Sequence, residues 1–215
     1  MTRTIVCFGD SNTHGADPSG SGRHPREVRW PRVMEAALGA GYEVIEEGLN
    51  GRCTVWDTPI EQGRCGLDYL YPCLLSHAPV DLVIIMLGTN DLKRIYGVTA
   101  AEIACGAARL IDVAKGTLAG PDDTPPRVLL VSPSPLGELT TQSEMWGFGE
   151  SRAESLRLAG MYEIVAADHG AGFLDAGSVA AVHPDDGVHL DAGACASLGA
   201  AMAEAVRAQF EPGSP

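Results

Sequence analysis

The chain has 215 residues, of which 45% are hydrophobic and 20% charged, and we expect one domain, residues 1–215, with a substantial core. This composition excludes a disordered chain, and no apolar run reaches the roughly 20 residues of a membrane-spanning helix. With 15 Lys and Arg against 28 Asp and Glu, the formal charge is -13. We identify no basic cluster, so we expect no nucleic-acid partner and no membrane partner.

The cysteines and the first residues bear on the compartment. None of the six cysteines belongs to a Cys-x-x-Cys pair, which argues against a zinc ribbon or a thioredoxin-type site. The first residues run directly into an apolar strand pattern and lack the features of a secretory signal. We therefore expect a cytoplasmic protein with reduced thiols, whose cysteines are small buried hydrophobic residues.

Short apolar runs alternate with longer helical patterns along the chain. In chain order the pattern predicts strand 4–8, helix 31–38, strand 42–45, helix 66–78, strand 81–87, helix 99–118, strand 127–131, helix 150–169, strand 172–174 and helix 192–210. Near-continuous Val, Ile and Leu runs are typical of strands buried on both faces of a parallel sheet. The alternation predicts an α/β fold: a three-layer α/β/α sandwich with a five-stranded parallel, flavodoxin-like sheet.

Local signals refine several of these elements. Pro31 suits a first helical turn, because proline lacks the N–H that this turn leaves unpaired. Thr99 and Glu102 have the spacing of a capping box, whereas Pro72 predicts a kink or an early end of its helix. Residues 18–22 and 212–215 are rich in Pro, Gly and Ser, and we expect them to be loops.

Residues that follow the first three strands are suited to acyl-transfer chemistry, because ligands bind beyond the carboxyl ends of strands in such a sheet. Ser11 is placed as a nucleophile at a strand-to-helix turn, although a serine there can also be a plain helix cap. Gly51 can offer a backbone N–H to an oxyanion or form an ordinary turn. Asn90 can donate its amide to an oxyanion or stabilise a turn.

Near the end of the chain, Asp186 precedes His189 by three residues. This spacing allows the carboxylate to hold one imidazole nitrogen and leave the other free as a general base. A lone histidine is more often an ordinary surface or core residue. A serine, a base, a carboxylate and two further donors at strand ends are much less expected by chance, so together they favour a catalytic site.

The same residues carry a resemblance to a known family. Gly9-Asp10-Ser11, Gly51, Gly88-x-Asn90-Asp91 and Asp186-x-x-His189 occur in the order of the four sequence blocks of the SGNH (GDSL-type) hydrolases. The resemblance covers residues 4 to about 210. Within the family the chain is most similar to small bacterial arylesterases that also act as acyltransferases and perhydrolases. Residues 5–11, 43–52, 81–91 and 175–178 carry that likeness.

The resemblance implies a role for each matching residue. Ser11 is the implied nucleophile, His189 the base and Asp186 its orienting carboxylate, with Asp185 as the alternative carboxylate. The chain contains no Gly-x-Ser-x-Gly, which argues against an α/β-hydrolase nucleophile elbow. The implied oxyanion hole consists of the N–H of Ser11, the N–H of Gly51 and the side chain of Asn90. No metal and no organic cofactor is implied.

The substrate-binding residues are harder to identify. The candidates near the motif blocks and in residues 136–149 are Asp10, Thr13, His14, Trp56 and Trp146. Asp10 is expected mainly to pack the turn beneath Ser11. Residues 136–149 form a wall or lid over the acyl site, a subunit contact, or a plain surface excursion. A bulky apolar aromatic at position 14 would make a drier pocket. This chain has His14 there instead, which argues against strong transferase activity.

The resemblance implies a serine esterase that hydrolyses short-chain acyl or aryl esters through an acyl-enzyme, with acyl transfer to alcohols or peroxide as a further activity. The alternative on the same fold is a carbohydrate acetyl esterase, or a lysophospholipase or thioesterase. A binding module that has kept the scaffold without catalysis is the third hypothesis. The expected partners are a small-molecule ester and, because the most similar relatives tend to self-associate, further copies in a homo-oligomer.

Overall fold

Residues 2–211 are described by a computed structural model, in which five parallel strands form the main sheet. These strands are β1 (Arg3–Gly9), β4 (Tyr42–Gly48), β5 (Leu82–Met86), β6 (Arg127–Ser132) and β7 (Gly172–Asp175). Their order is β4-β1-β5-β6-β7, which confirms the predicted flavodoxin-like sheet. The predicted loop at residues 212–215 lies outside the described residues.

The predicted loop at residues 18–22 is the turn of a small hairpin that the sequence pattern did not indicate. Its strands, β2 (Ala16–Asp17) and β3 (Gly22–Arg23), pair antiparallel and apart from the main sheet. Asp17 closes the turn, because its carboxylate accepts hydrogen bonds from the Ser19 N–H and the Ser21 hydroxyl. The strands have two residues each, which is too short for an alternating pattern to be visible.

Eight α-helices are found within residues 2–211. They are α1 (Ser11–His14), α2 (Trp30–Leu38), α3 (Gly66–Ser76), α4 (Ala100–Gly116), α5 (Thr141–Met145), α6 (Arg152–Ser155), α7 (Leu158–Asp168) and α8 (Ala192–Gln209). The capping box of α4 is confirmed: Thr99 Oγ1 accepts from the Glu102 N–H, and the Glu102 carboxylate accepts from the Thr99 N–H. Pro72 does not end α3, which continues to Ser76.

Two helix predictions need correction. The single helix predicted over residues 150–169 is divided into α6 and α7. Ser155 ends α6: its hydroxyl donates to the Arg152 carbonyl and accepts from the Leu136 N–H, so it competes with continued helical bonding. Residues 136–149, for which no helix was predicted, contain α5, which Thr140 caps through Ser143.

Alternate residues of the buried strands face opposite helical layers. Val6 and Phe8 belong to the core beneath α3, α4 and α7, whereas Ile5 and Cys7 belong to the core beneath α2 and α8. This alternation explains why the strands are apolar at every position. Five cysteines are buried, but Cys105 is exposed on α4, contrary to the expectation that all are buried. No helix within residues 2–211 has the length and apolar character needed to cross a membrane.

Candidate active site

The candidate nucleophile lies where β1 meets α1. Asp10 caps α1 with its carboxylate, which accepts the Asn12 N–H at 2.9 Å. Ser11 is therefore in the first helical turn, where backbone N–H groups have no partner within the helix. The end of β4 packs directly on this turn, since a Cβ on Gly48 would lie 2.1 Å from the His14 backbone nitrogen. The turn from which the serine projects is thus held by the Asp10 cap and by the end of β4.

Ser11, His189 and Asp186 form a continuous chain of hydrogen bonds. The His189 Nε2 atom lies 2.9 Å from Ser11 Oγ, and His189 Nδ1 lies 2.7 Å from Asp186 Oδ2. The other carboxylate oxygen of Asp186 accepts the backbone N–H groups of Val188 and His189 at 2.8 and 2.9 Å. Burial would raise the pKa of Asp186, but these hydrogen bonds and the imidazole hold it below its ordinary value. This arrangement allows His189 to take a proton from Ser11.

Asp185, the alternative carboxylate, does not contact His189. Its side chain is exposed and lies 3.5 Å from His183 Nδ1. The geometry thus favours Asp186 over Asp185 as the partner of His189.

The candidate oxyanion donors come from the strands on either side of β1. Because β1 stands between β4 and β5, the segments that follow these three strands bring Gly51, Ser11 and Asn90 to one edge of the sheet. Gly51 has a φ of 80°, a conformation that favours glycine. The amide of Asn90 donates one hydrogen bond to the Arg52 carbonyl at 3.2 Å, which fixes its orientation beside Gly51.

A buried aspartate joins these two donor segments. Both oxygens of Asp91 accept the Thr54 N–H, at 3.0 and 3.1 Å, and Oδ1 also accepts the Thr54 hydroxyl. Burial raises the pKa of Asp91 to about 6, against the lowering effect of the hydrogen bonds from Thr54. Arg52 ties the Gly51 segment to the ends of β1 and β4, because its guanidinium donates to the Gly9 carbonyl at 2.9 Å and to the Glu47 carbonyl. Asp91 belongs to the motif blocks, but no sequence pattern indicates the supporting roles of Asp91, Thr54 and Arg52.

One cleft of about 550 Å³ is lined by the candidate triad and the candidate oxyanion donors, namely Ser11, Asp186, His189, Gly51 and Asn90. The β2–β3 hairpin contributes one wall. The opposite wall is the segment 136–149, through Gln142, Trp146 and Phe148. The Trp146 ring meets the His189 imidazole edge-on, with the ring centroids 5.4 Å apart. Residues 136–149 therefore form part of the cleft wall, which is one of the three roles expected for them.

The substrate-binding candidates are only partly brought together. Among the residues lining the cleft in the described chain is Trp146, but not Asp10, Thr13, His14 or Trp56. Asp10 and Thr13 are fully buried beneath the turn, and His14 packs against the end of β4. Trp56 follows the Thr54 anchor and is half-buried outside the cleft. Which of these side chains reaches the cleft depends on the conformation of the turns, which the sequence pattern does not specify.

Within residues 2–211, one group of three side chains has metal-ligand chemistry: Glu47, Cys73 and His77, with ligand atoms within 4.8 Å of one another. Glu47 and His77 already pair at 2.8 Å. Burial and the neighbouring Glu47 carboxylate raise the pKa of Cys73 to about 12, against the lowering effect of the Arg52 guanidinium. A protonated thiol beside a guanidinium disfavours a cation, so we interpret the group as a hydrogen-bonded brace between β4 and α3.

A basic cluster is present after all. Arg23, Arg26, Arg29 and Arg32 fall within ten residues and line a concave surface together with Glu35, Glu43 and Glu46. Arg29 and Arg32 share Glu46, at 3.3 and 2.9 Å, and Arg32 also pairs with Glu35 at 2.8 Å. The expectation of no local cluster was wrong, but these carboxylates neutralise much of its charge.

Comparisons with known proteins agree with this geometry. Residues 7–194 match the sequence profile of the family described as GDSL-like Lipase/Acylhydrolase. An aryl esterase structure from M. smegmatis is 39% identical, with a TM-score of 0.91, and the match covers 96% of this chain and 99% of that one. A carbohydrate acetylesterase family member from Sinorhizobium meliloti is 41% identical, with a TM-score of 0.90 and coverage of 96% and 98%. No curated protein matches the sequence.

Proposed function

Because the chain belongs to the GDSL-like lipase/acylhydrolase family, we propose that it is a serine esterase that hydrolyses short-chain acyl or aryl esters through an acyl-enzyme. The observation that carries the proposal is the chain of hydrogen bonds from Ser11 through His189 to Asp186, at 2.9 and 2.7 Å. These groups open into a cleft large enough for a small-molecule ester. Family membership supports a carboxylic ester hydrolase, and the geometry supports these three residues as its triad.

In the proposed reaction His189 Nε2 accepts the Ser11 hydroxyl proton as Oγ attacks the ester carbonyl. Asp186 holds the proton on Nδ1 and stabilises the imidazolium that forms. His189 then protonates the leaving alcohol. Water next attacks the acyl-enzyme, with His189 again as base, and releases the carboxylic acid and free Ser11.

The oxyanion of each tetrahedral intermediate would accept three hydrogen bonds. The donors are the N–H groups of Ser11 and Gly51 and the second amide hydrogen of Asn90. Removing a single donor of this kind typically costs roughly 3–4 kcal/mol of transition-state stabilisation. Asn90 is suited to this role, because its other amide hydrogen is held by the Arg52 carbonyl and the side chain cannot rotate freely.

The cleft also favours one alternative substrate class. Its rim carries hydrogen-bonding and charged side chains, namely Asp17, Asn50, Glu61, Arg64, Lys93 and Gln142. Such groups can hydrogen-bond the hydroxyls of a sugar. Together with the similarity to a carbohydrate acetylesterase family member from Sinorhizobium meliloti, this makes a carbohydrate acetyl esterase the second candidate. Acyl transfer to alcohols or peroxide remains a proposed side activity.

Turnover of p-nitrophenyl acetate by wild type and Ser11→Ala, with and without a primary alcohol, tests the main proposal. We expect wild type to hydrolyse the ester, the variant to be inactive, and a fluorophosphonate to label Ser11. A new ester formed from the alcohol would support acyl transfer. A strong preference for acetylated xylan would favour the alternative, and one for acyl-CoA would point to a thioesterase. Full activity in Ser11→Ala would refute the mechanism.

We also propose that the protein acts as a single catalytic domain in the cytoplasm, as a homo-oligomer without nucleic-acid or membrane partners. All six cysteines are unpaired, which agrees with a reducing compartment. Met145, on the segment 136–149, is 78% exposed beside Trp146 and offers apolar surface for self-association. Light scattering at micromolar concentration tests this, and a monomeric mass would reject the oligomer.

A further inference from the structure

The side chain of Asn12 pairs with the backbone on both sides of the proposed base. Asn12 follows Ser11 in α1, and the residue is only 6% exposed. Its Nδ2 donates to the Val188 carbonyl at 3.2 Å, and its Oδ1 accepts the Leu190 N–H at 3.1 Å. These two partners flank His189, so one amide side chain bonds to this segment as a neighbouring strand would.

This pairing requires an amide. The Val188 carbonyl needs a donor and the Leu190 N–H needs an acceptor, and asparagine supplies both on one short side chain. A leucine at position 12 would supply neither. The family is named after a Gly-Asp-Ser-Leu motif, whereas this chain reads Gly9-Asp10-Ser11-Asn12. The departure therefore adds a second motif side chain, beside Ser11, that bonds across to the histidine segment.

Other contacts also hold the histidine segment. The His183 N–H donates to the His189 carbonyl at 2.8 Å, and His24 Nε2 contacts the Leu190 carbonyl at 2.9 Å. The first of these contacts lies within the histidine segment itself, and the second reaches only the far end of α1, because the His24 N–H donates to the Gly15 carbonyl at 2.8 Å. Asn12 differs because it is covalently next to Ser11, so its two hydrogen bonds act on the distance between Ser11 and His189.

We propose that Asn12 is a positioning residue that sets His189 in register with the Ser11 hydroxyl. The inference rests on the proposed function, since it requires His189 to act as the base for Ser11. The bond between Ser11 Oγ and His189 Nε2, 2.9 Å long, joins residues 178 positions apart. A displacement of about 1 Å is enough to break such a bond, and misplacement of that size can cost about 100-fold in rate.

Asn12→Leu removes both hydrogen bonds with little change in volume, at a position where the family motif carries leucine. Per active site, kcat for p-nitrophenyl acetate should fall by about 10- to 100-fold, while KM stays within about twofold. The rate at which a fluorophosphonate modifies Ser11 should fall by a similar factor, because that reaction also uses His189 as base. Unchanged kcat, or a rise in KM alone, would overturn the inference.

Thr117→Val is the matched control for lost stability. Thr117 is also buried, and its hydroxyl donates to the Ala114 carbonyl at 2.7 Å and accepts the Ala119 N–H at 3.3 Å. It lies near the amino end of β5, opposite the cleft, since the Ala119 carbonyl bonds to Val80. We expect a similar loss of Tm with unchanged kcat and labelling rate. An equal loss of kcat in Thr117→Val would attribute the effect to general destabilisation and overturn the inference.

A second variant covers the case in which Asn12→Leu does not fold. Asn12→Asp keeps the acceptor for Leu190 but turns a second oxygen towards the Val188 carbonyl, so kcat should still fall by about tenfold or more. Wild-type kcat in Asn12→Asp would overturn the inference. Ser11→Ala in the same assay separates the two levels. If Ser11→Ala remains active, the proposed function fails. If Ser11→Ala is inactive but the Asn12 variants keep full activity, only the positioning role fails.

Discussion

Replacing Asp186 by asparagine should remove nearly all activity while leaving the fold intact. In the wild type one oxygen of Asp186 accepts two backbone N–H groups, and the other accepts His189 Nδ1–H. Asparagine has one acceptor oxygen, and the two backbone donors will hold it in place. The side-chain NH₂ must then face Nδ1, which has to become an acceptor.

This exchange moves the imidazole proton to the wrong nitrogen. With Nδ1 as acceptor, the proton resides on Nε2, which can no longer accept the proton of Ser11. In another serine hydrolase the same substitution lowers kcat by about 10⁴-fold, which at about 1.4 kcal/mol per tenfold is roughly 5.5 kcal/mol of barrier. Because the backbone hydrogen bonds survive in Asp186→Asn, we expect a loss of this size with little change in Tm.

Initial rates with p-nitrophenyl acetate, normalised to folded protein, measure the effect. Asp185→Asn is the control, because it removes the same charge from the adjacent residue, whose side chain is 57% exposed. It should change kcat by no more than about threefold, since exposed charges interact weakly through water. If Asp186→Asn keeps kcat within about tenfold of wild type, the tautomer argument is wrong.

Three further predictions concern the oxyanion hole, the packing and the pH dependence. Asn90→Ala should lower kcat by about 10²–10³-fold with little change in KM, and steady-state kinetics would show whether the amide acts in the transition state. Gly48→Ala should destabilise the fold by about 1–3 kcal/mol in urea denaturation, because its Cβ would lie 2.1 Å from the His14 backbone nitrogen; an unchanged midpoint would contradict this. The raised pKa of Asp91, about 6 against an ordinary 3.8, means that the folded state binds a proton more tightly than the unfolded state. The stability of wild type relative to Asp91→Asn should therefore fall as the pH rises from about 4 to about 6, and a rise would contradict the burial argument.

The sheet and the chemical groups could be predicted because both leave short-range signals. Continuous apolar runs revealed buried strands, and functional residues such as Ser11 and Asn90 come directly after two of them. The parallel order then brings these strand ends to one edge of the sheet. The residues that follow them can therefore be predicted to form one site without knowledge of the loop conformations. The strand ends moved by only one to three residues, which did not alter the site.

The walls of the cleft could not be predicted in the same way. Thr13 and Trp56 are close to the motif blocks in sequence, but their turns direct them away from the cleft. The β2–β3 hairpin has strands too short to produce a pattern, and α5, with five residues, is too short for a helical period to be visible. The role of Asn12 depends on contacts with residues more than 170 positions away, which no local pattern reports.

The wide separation of Ser11 and His189 along the chain means that enzymatic activity reports the docking of the histidine segment and not only the formation of the sheet. Contacts between distant residues form late, because the cost of closing the intervening chain must first be met. The parallel sheet can assemble while the segment around His189 is still undocked, and such a species would have native-like secondary structure but no turnover. In a refolding experiment, recovery of ester hydrolysis should therefore lag behind recovery of the circular dichroism signal. The length of the lag would measure how long the segment around His189 takes to dock.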